Sequence, residues 1–360
     1  MQDSYSNRMK YIDVARGIAM LCIILGHLGI NEINRFVFTF HVPIFFVISG
    51  YFINENGDLG DFVKKKIKGL ILPYITTCVL IVALSVVIHI ASTPDGKFGE
   101  TALSWIYASF YGSGATYYEP FYIKSIGALW FLLASFWGSL LLKLILKLNK
   151  YVRAVLVAVI FLIGYFSVNL FWFPFSIQAG MCALLYMYIG YLCKSVTNFK
   201  TSFPKEVRIT FVFFSFAVWI GFVISFESFW LVRGDFGKGI TDILSSLCAV
   251  FCIIFISKNI VSRFLTPLAN ALAYIGKYSV IMLCAHIIEL NLFPWNKLIS
   301  VLGISEIHGI AATIVLIIGK LIWSISITYI CSRKNFTRRI FGLKPVEVSQ
   351  VSGDKRWLEK

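Results

Sequence analysis

The sequence predicts an all-α polytopic membrane bundle of about ten transmembrane helices. Of its 360 residues, 58% are hydrophobic and only 14% charged, far from the balance of a soluble domain. Apolar runs of about 20 residues, the length that crosses a hydrocarbon core of ~30 Å, recur along nearly the whole chain. These runs are continuous rather than alternating in short pieces, which selects helices over a barrel.

The first run, 11–30, reads YIDVARGIAMLCIILGHLGI, with Arg16 near one end and His27 eleven residues further along. At 1.5 Å per residue they differ in depth by ~16 Å. The run is too long for a signal peptide and lacks a small-residue cleavage site. The second, 36–53, carries His41 ahead of PIFFVISGYF, and the third, 70–91, follows the basic stretch Lys64, Lys65, Lys66 and Lys68 and ends near His89. Residues 92–125 form the longest non-spanning piece. Within it 101–112 is too short to span and reads as interfacial. Its aromatic residues, Tyr117 among them, suit a headgroup belt or a stacking floor for a sugar.

The fourth run, 126–147, opens on Trp130, and runs at 152–171, 174–193, 208–226 and 239–257 follow. The ninth, 271–292, holds Lys277, His286 and Glu289; the last two are three apart and share a helix face, so the carboxylate can orient the imidazole. The tenth, 309–331, contains Lys320, to which the sequence assigns no role. There is no internal repeat or low-complexity tract. Residues 1–335 read as one integral-membrane domain, and 336–360 as a short basic tail.

The formal net charge is +15, but its placement argues against a nucleic-acid partner. Six basic residues (Arg35, Lys97, Lys124, Arg233, Lys238, Lys297) lie on alternate connections, and Arg16 and Lys320 lie inside spans. The remaining 25 of the 33 Lys and Arg fall at the N-terminus, on connections 54–69, 148–151, 194–207 and 258–270, at nearby helix ends and in the tail. The positive-inside rule then places both termini in the cytoplasm. The eight cysteines lie in or beside apolar spans with no CxxC pair and read as small buried hydrophobes; Cys248 and Cys252 are one helical turn apart but have no His or carboxylate at ligand spacing nearby, so no metal site is expected.

Ionisable groups inside spans point to function, and topology sorts these by depth. His27, His41, His89, His286 and Glu289 fall in the outer half. Arg16, the Lys64–Lys68 run and Lys277 collect near the cytoplasmic boundary, where they suit a multiply charged anion. Asp13, three residues before Arg16, is placed to hold the arginine. Imidazole, with an unperturbed pKa of ~6.5, can take a proton from a hydroxyl near neutral pH.

These residues resemble membrane acyltransferase family 3, the integral-membrane O-acyltransferases of bacterial surface polysaccharides. RGIAMLCIILGH is similar to the family's Arg-x10-His element, FTFHVPIFFVISGYF to its second-span signature, and KKIKGLILPY to its basic loop. GALWFL (127–132), LLYMYIGYL (184–192) and YIGKYSVIMLCAH (274–286) recur in the same order. The likeness is greatest to the compact sugar O-acetylase-like members.

The resemblance implies a multi-pass protein of the bacterial plasma membrane that moves an acyl group, with acetyl from acetyl-CoA expected, to a hydroxyl of a surface polysaccharide or lipid-linked sugar. It makes His27 the catalytic histidine, as general base or as acyl carrier, and Arg16 its partner in donor binding. Lys65 and Lys68 stand where the family often has an Arg-x-x-Arg pair, which removes bidentate phosphate recognition there. The expected site is His27, His41, His286 and Glu289 for catalysis, Arg16, Asp13, Lys64, Lys65 and Lys68 for the donor, and Trp130 and Tyr117 for the acceptor. No permanently bound cofactor is expected. The competing reading is a proton-coupled transporter whose intramembrane His, Glu and Lys form a relay; the chain shows no repeat between halves to support it.

Overall fold

The computed structural model describes residues 2–92, 96–198, 204–304 and 309–345. It is all-helical among these residues, with only two isolated bridges, Tyr117 to Ile123 and Trp230 to Asp235, outside the helices. The helices are α1 (Gln2–Gly26), α2 (Asn31–Val37), α3 (Pro43–Tyr51), α4 (Leu59–Lys66), α5 (Leu72–Ser92), α6 (Phe98–Tyr111), α7 (Trp130–Ile145), α8 (Lys150–Ser167) and α9 (Ile177–Asn198). They continue as α10 (Lys205–Ile224), α11 (Ile240–Ile256), α12 (Ser262–Phe264), α13 (Thr266–Lys277), α14 (Ser279–Leu292), α15 (Trp295–Val301), α16 (Ile310–Arg333) and α17 (Asn335–Ile340).

Five helical runs are long and apolar enough to cross a membrane: 59–92, 150–167, 174–194, 240–264 and 310–333. The pair α13 and α14, bent by 74°, makes a sixth if taken as one span. Single-turn π segments, Ile67–Ile71 and Ser257–Val261, weld α4 to α5 and α11 to α12. Two of the runs expected as straight spans are broken. The 36–53 run has a turn at 38–42 between α2 and α3, because Pro43 starts a helix far better than it continues one. The 271–292 run turns sharply at Tyr278. Both breaks matter, since they sit beside the site. The segment 101–112, read as interfacial, forms all but the first turn of α6, together with its Gly112 cap; α6 packs on α5 with Trp105 and Ala108 buried and Leu103, Ile106 and Phe110 exposed.

Two glycine contacts set the helix spacing. α1 lies on α13 so closely that a Cβ at Gly17 would run into the Leu272 carbonyl oxygen, and one at Gly276 into that of Asp13. α3 lies on α9 in the same way, through Gly50 against Met187 and Gly190 against Val47. Small residues allow this backbone approach between apolar helices, where packing rather than water exclusion drives association. α7 and α8 also pack on α9, so α9 is the axis of the bundle, with Cys182, Ala183, Leu184, Tyr186 and Met187 fully buried.

One polar clamp ties the connection between α3 and α4 to this axis. Lys143, buried on α7, donates from Nζ to the Asn54 and Glu55 carbonyl oxygens at 2.7 and 2.9 Å. Glu55 pairs with Arg153 at 2.6 Å and accepts the Tyr191 hydroxyl. That hydroxyl, opposed by partial desolvation and aided by Arg153, holds the Glu55 carboxyl below its ordinary value. Of the basic tail, Asn335–Ile340 is helical and Arg338 donates to the Ser332 carbonyl oxygen at 2.8 Å; residues 346–360 lie outside the described residues, as do 199–203 of the connection 194–207.

Candidate active site: two cavities on one partition

His27 does not sit in the body of α1. The helix ends at Gly26, and His27 occupies the following turn, which Gly29 completes at φ +74°. His41 lies in the turn 38–42. These two turns aim both imidazoles into one space. Both line a cavity of about 260 Å³ together with Trp130, Phe229, Trp230 and Asn291.

The hydrogen bonds determine the proton positions on His27. Its Nδ1 lies 2.8 Å from the Ile23 carbonyl oxygen, which can only accept, so Nδ1 carries the hydrogen. His27 Nε2 is then the lone-pair nitrogen, and no side chain or backbone group among the described residues engages it. Behind His27, His286 Nε2 is 3.4 Å from His27 Nδ1, with the rings 5.1 Å apart and edge-on at 67°. His286 Nδ1 in turn lies 3.0 Å from Glu289 Oε2. A carboxylate accepts, so His286 is also protonated on Nδ1 and presents its Nε2 lone pair to His27.

Glu289 is itself tied on its other oxygen. Lys320 Nζ donates to Oε1 at 2.6 Å, and the Trp295 indole N–H donates to the same atom. Glu289 is 1% exposed, His286 fully buried and Lys320 3% exposed. A buried carboxylate with an ammonium, an indole and an imidazole as donors is fully satisfied, which is the condition under which a charge can stay inside an apolar bundle. Lys320, whose role the sequence leaves open, is thus the counter-charge of Glu289, 31 residues away in the chain.

A second cavity, of about 470 Å³, opens beside the first on the Arg16 side. Arg16, Lys65, Lys66 and Lys277 line it. Asp13 reaches Arg16 at 3.4 Å and is the acid paired with it. Lys66 donates to Ser139 Oγ at 2.9 Å. Below this cationic mouth the walls are apolar, with Met20, Phe45 and Leu70. Ile23, Phe131 and Leu283 line both cavities and so form the partition between them.

The arrangement sorts the expected site residues. His27, His41 and Trp130 share one cavity, and His286 with Glu289 backs His27. Arg16 and Lys65 share the other, joined by Lys66 and Lys277. Lys64 and Lys68 do not line it; their side chains are exposed, because the register of α4 and its π turn points them outward. Tyr117 is not in the His27 cavity either. It stacks on Trp172 at 4.7 Å and reaches the Val232 carbonyl oxygen at 3.3 Å, so it supports a wall residue from behind. His89 stands apart, beside Thr101 at 3.2 Å. Phe229, Trp230 and Asn291 are wall residues that the sequence reading does not pick out; the aromatic cluster SFW in the connection before α11 is the signal that could have found two of them. No three-residue His, Cys, Asp or Glu group suited to a metal occurs among the described residues.

A family model described as an acyltransferase domain, acyltransferase family 3, matches residues 9–333. The chain belongs to this family. It is a multi-pass membrane acyltransferase. Neither a curated protein nor a solved structure matches it. The matched span takes in every residue lining the His27 cavity of the acyltransferase and all those lining the second except Gly342, and stops short of α17.

Proposed function

We propose that this acyltransferase moves an acetyl group from acetyl-CoA to a hydroxyl of a surface glycan or lipid-linked sugar at the plasma membrane of a bacterium. The observation that carries this reading is that His27, whose Nε2 bears the lone pair, lines a cavity that shares its partition with a second, cationic cavity. The cationic mouth suits a donor with several phosphates, since Arg16, Lys65, Lys66 and Lys277 supply charge-assisted donors and Asp13 offsets only one of them. The apolar throat suits an aliphatic arm. The aromatic His27 cavity suits a sugar, with Trp130 and Trp230 as faces for the ring and Asn291 and His41 as polar partners.

With donor and acceptor entering from opposite sides of one partition, transfer is direct. His27 Nε2 takes the proton of the acceptor hydroxyl as its oxygen attacks the thioester carbonyl. The C–S bond breaks, the acyl group leaves as the new ester, and the imidazolium returns its proton to the CoA sulfur. His286 and Glu289 are positioning residues. They hold the His27 tautomer and stabilise the imidazolium that forms, Glu289 through His286, and Lys320 keeps Glu289 in place. By the positive-inside rule the Arg16 mouth faces the cytoplasm and His27 the outer half.

Release of CoA thiol from acetyl-CoA by the detergent-solubilised protein tests the reading. The wild type is expected to release it, faster when glycan acceptor is added. An inert protein would favour the transporter reading, which the acyltransferase family itself opposes.

A further inference from the structure

Ser135 lies four residues after Phe131 on α7, so its hydroxyl sits one helical turn, about 6 Å, further toward the cationic mouth. Ser135 is 3% exposed and lines the Arg16-side cavity, and its Oγ has no hydrogen-bond partner among the described residues. Its neighbour on the same face is fully used: Ser139 Oγ donates to the Ser135 carbonyl oxygen at 2.6 Å and accepts from Lys66. A buried hydroxyl without a partner on a residue of the cavity wall, beside one that is filled, marks a place where a ligand's polar group would satisfy it.

The partition above it is closely packed. Phe131 is edge-on to Phe45 at 5.4 Å and tilted against Phe46 at 5.1 Å, and Ile23 and Leu283 are each 3% exposed. Ile23 is also fixed through its carbonyl oxygen, which holds His27. A side chain set between two packed rings yields little space.

We propose that Ser135 is the subsite for the thioester-proximal amide of the donor, and that Ile23, Phe131 and Leu283 are the filter that restricts the acyl group to two or three carbons. This rests on the acyl-CoA reading above. In a CoA thioester that amide is two methylenes from sulfur, about 4–5 Å at ordinary bond lengths. With the amide on Ser135, the thioester carbonyl stands level with Phe131, and the acyl group points at the partition. In this arrangement the acetyl group is the chain short enough to pass the three side chains toward His27. A longer chain meets the packed Phe131 ring and holds the carbonyl back from Nε2, a misplacement to which reaction rates are steeply sensitive.

The test uses the full-length protein in detergent and acetyl-, butyryl- and hexanoyl-CoA, with CoA release as the signal. The wild type is expected to favour acetyl-CoA over hexanoyl-CoA by about tenfold or more in kcat/KM, and in Leu283→Ala, and separately in the milder Phe131→Leu, the hexanoyl-to-acetyl ratio should rise about tenfold, within the range that a few methylenes contribute in an apolar pocket. Ser135→Ala should raise KM for acetyl-CoA about fivefold, with a much smaller change in kcat, as loss of one net hydrogen bond predicts. The same substitution should matter less for S-acetyl ethanethiol, which has no amide and is read by release of ethanethiol. Turnover with the ratio unmoved in both wall variants overturns the filter. A KM unmoved in Ser135→Ala overturns the amide subsite. No consumption of any thioester by the wild type overturns the acyl-CoA reading itself.

Discussion

Residue by residue, the site is a chain of directed hydrogen bonds ending in one unengaged nitrogen. Ile23 and His286 take the Nδ1 side of His27, Glu289 takes the far side of His286, and Lys320 with Trp295 take the remaining oxygen of Glu289. His27→Ala is expected to cut CoA release by at least about 10²-fold, the low end of general-base contributions, while elution as a folded species in gel filtration stays as in the wild type. Glu289→Gln keeps the shape but removes the charge that stabilises the imidazolium. Its kcat should fall about 10- to 100-fold, the usual cost of losing an outer partner, with KM for acetyl-CoA nearly constant. An equal rise in KM would mean that Glu289 serves the fold and not the reaction. Arg16→Ala should do the converse, raising KM for acetyl-CoA roughly tenfold or more, since a charged hydrogen bond of ~1.5–3 kcal/mol is lost.

Much of this is legible in single residues, because a charge in an apolar run is conspicuous and helical rise converts position into depth. That is why His27, His41 and His286 can be put in one layer and Arg16 in the other. Lys320 resists, since its partner Glu289 lies on another helix and nothing local reveals it. Tyr117 misleads for a related reason: an aromatic loop declares its composition, not which rings face a cavity and which prop the wall. Phe229 and Trp230 escape notice because a connection's return over the bundle has no periodicity to read.

Among the helices, the site depends on breaks and close approaches. Pro43 is visible in the sequence and explains the break before α3. The 74° bend at Tyr278 is not, having no proline to announce it. α1 reaches α13 through Gly17 and Gly276, and this contact carries Arg16 and Lys277 to the same mouth. Gly276→Val forces a side chain against the Asp13 carbonyl oxygen. It should destabilise by roughly 1–3 kcal/mol, as overpacking does, and raise the KM for acetyl-CoA; thermal unfolding in detergent and donor titration read the two effects. The clamp on the α3–α4 connection gives a pH signature. The Tyr191 hydroxyl and Arg153 hold the Glu55 carboxyl below its unfolded value, so its contribution to stability is present above that unfolded value and is lost as pH falls through the depressed one. The thermal midpoint of the wild type should therefore drop on acidification below the ordinary carboxylate range, and by less in Glu55→Gln. Identical drops would show that Glu55 contributes nothing there.

Across the whole molecule, the bundle separates charge from chemistry. Arg16, Lys65, Lys66 and Lys277 line one cavity and His27 and His41 the other, with Ile23, Phe131 and Leu283 between them. A cationic mouth open to solvent is screened by salt, so KM for acetyl-CoA should climb with ionic strength while kcat stays level.

Everything proposed for this bundle turns on His27, in the cavity behind the shared partition, serving acyl transfer from a CoA thioester. CoA thiol release from acetyl-CoA by purified wild type and His27→Ala, side by side in the same detergent and at equal folded concentration, examines that role without intermediaries. Sustained release is expected from the wild type and none above background from the variant. Equal release by both, or none by the wild type with acceptor glycan present, would refute it.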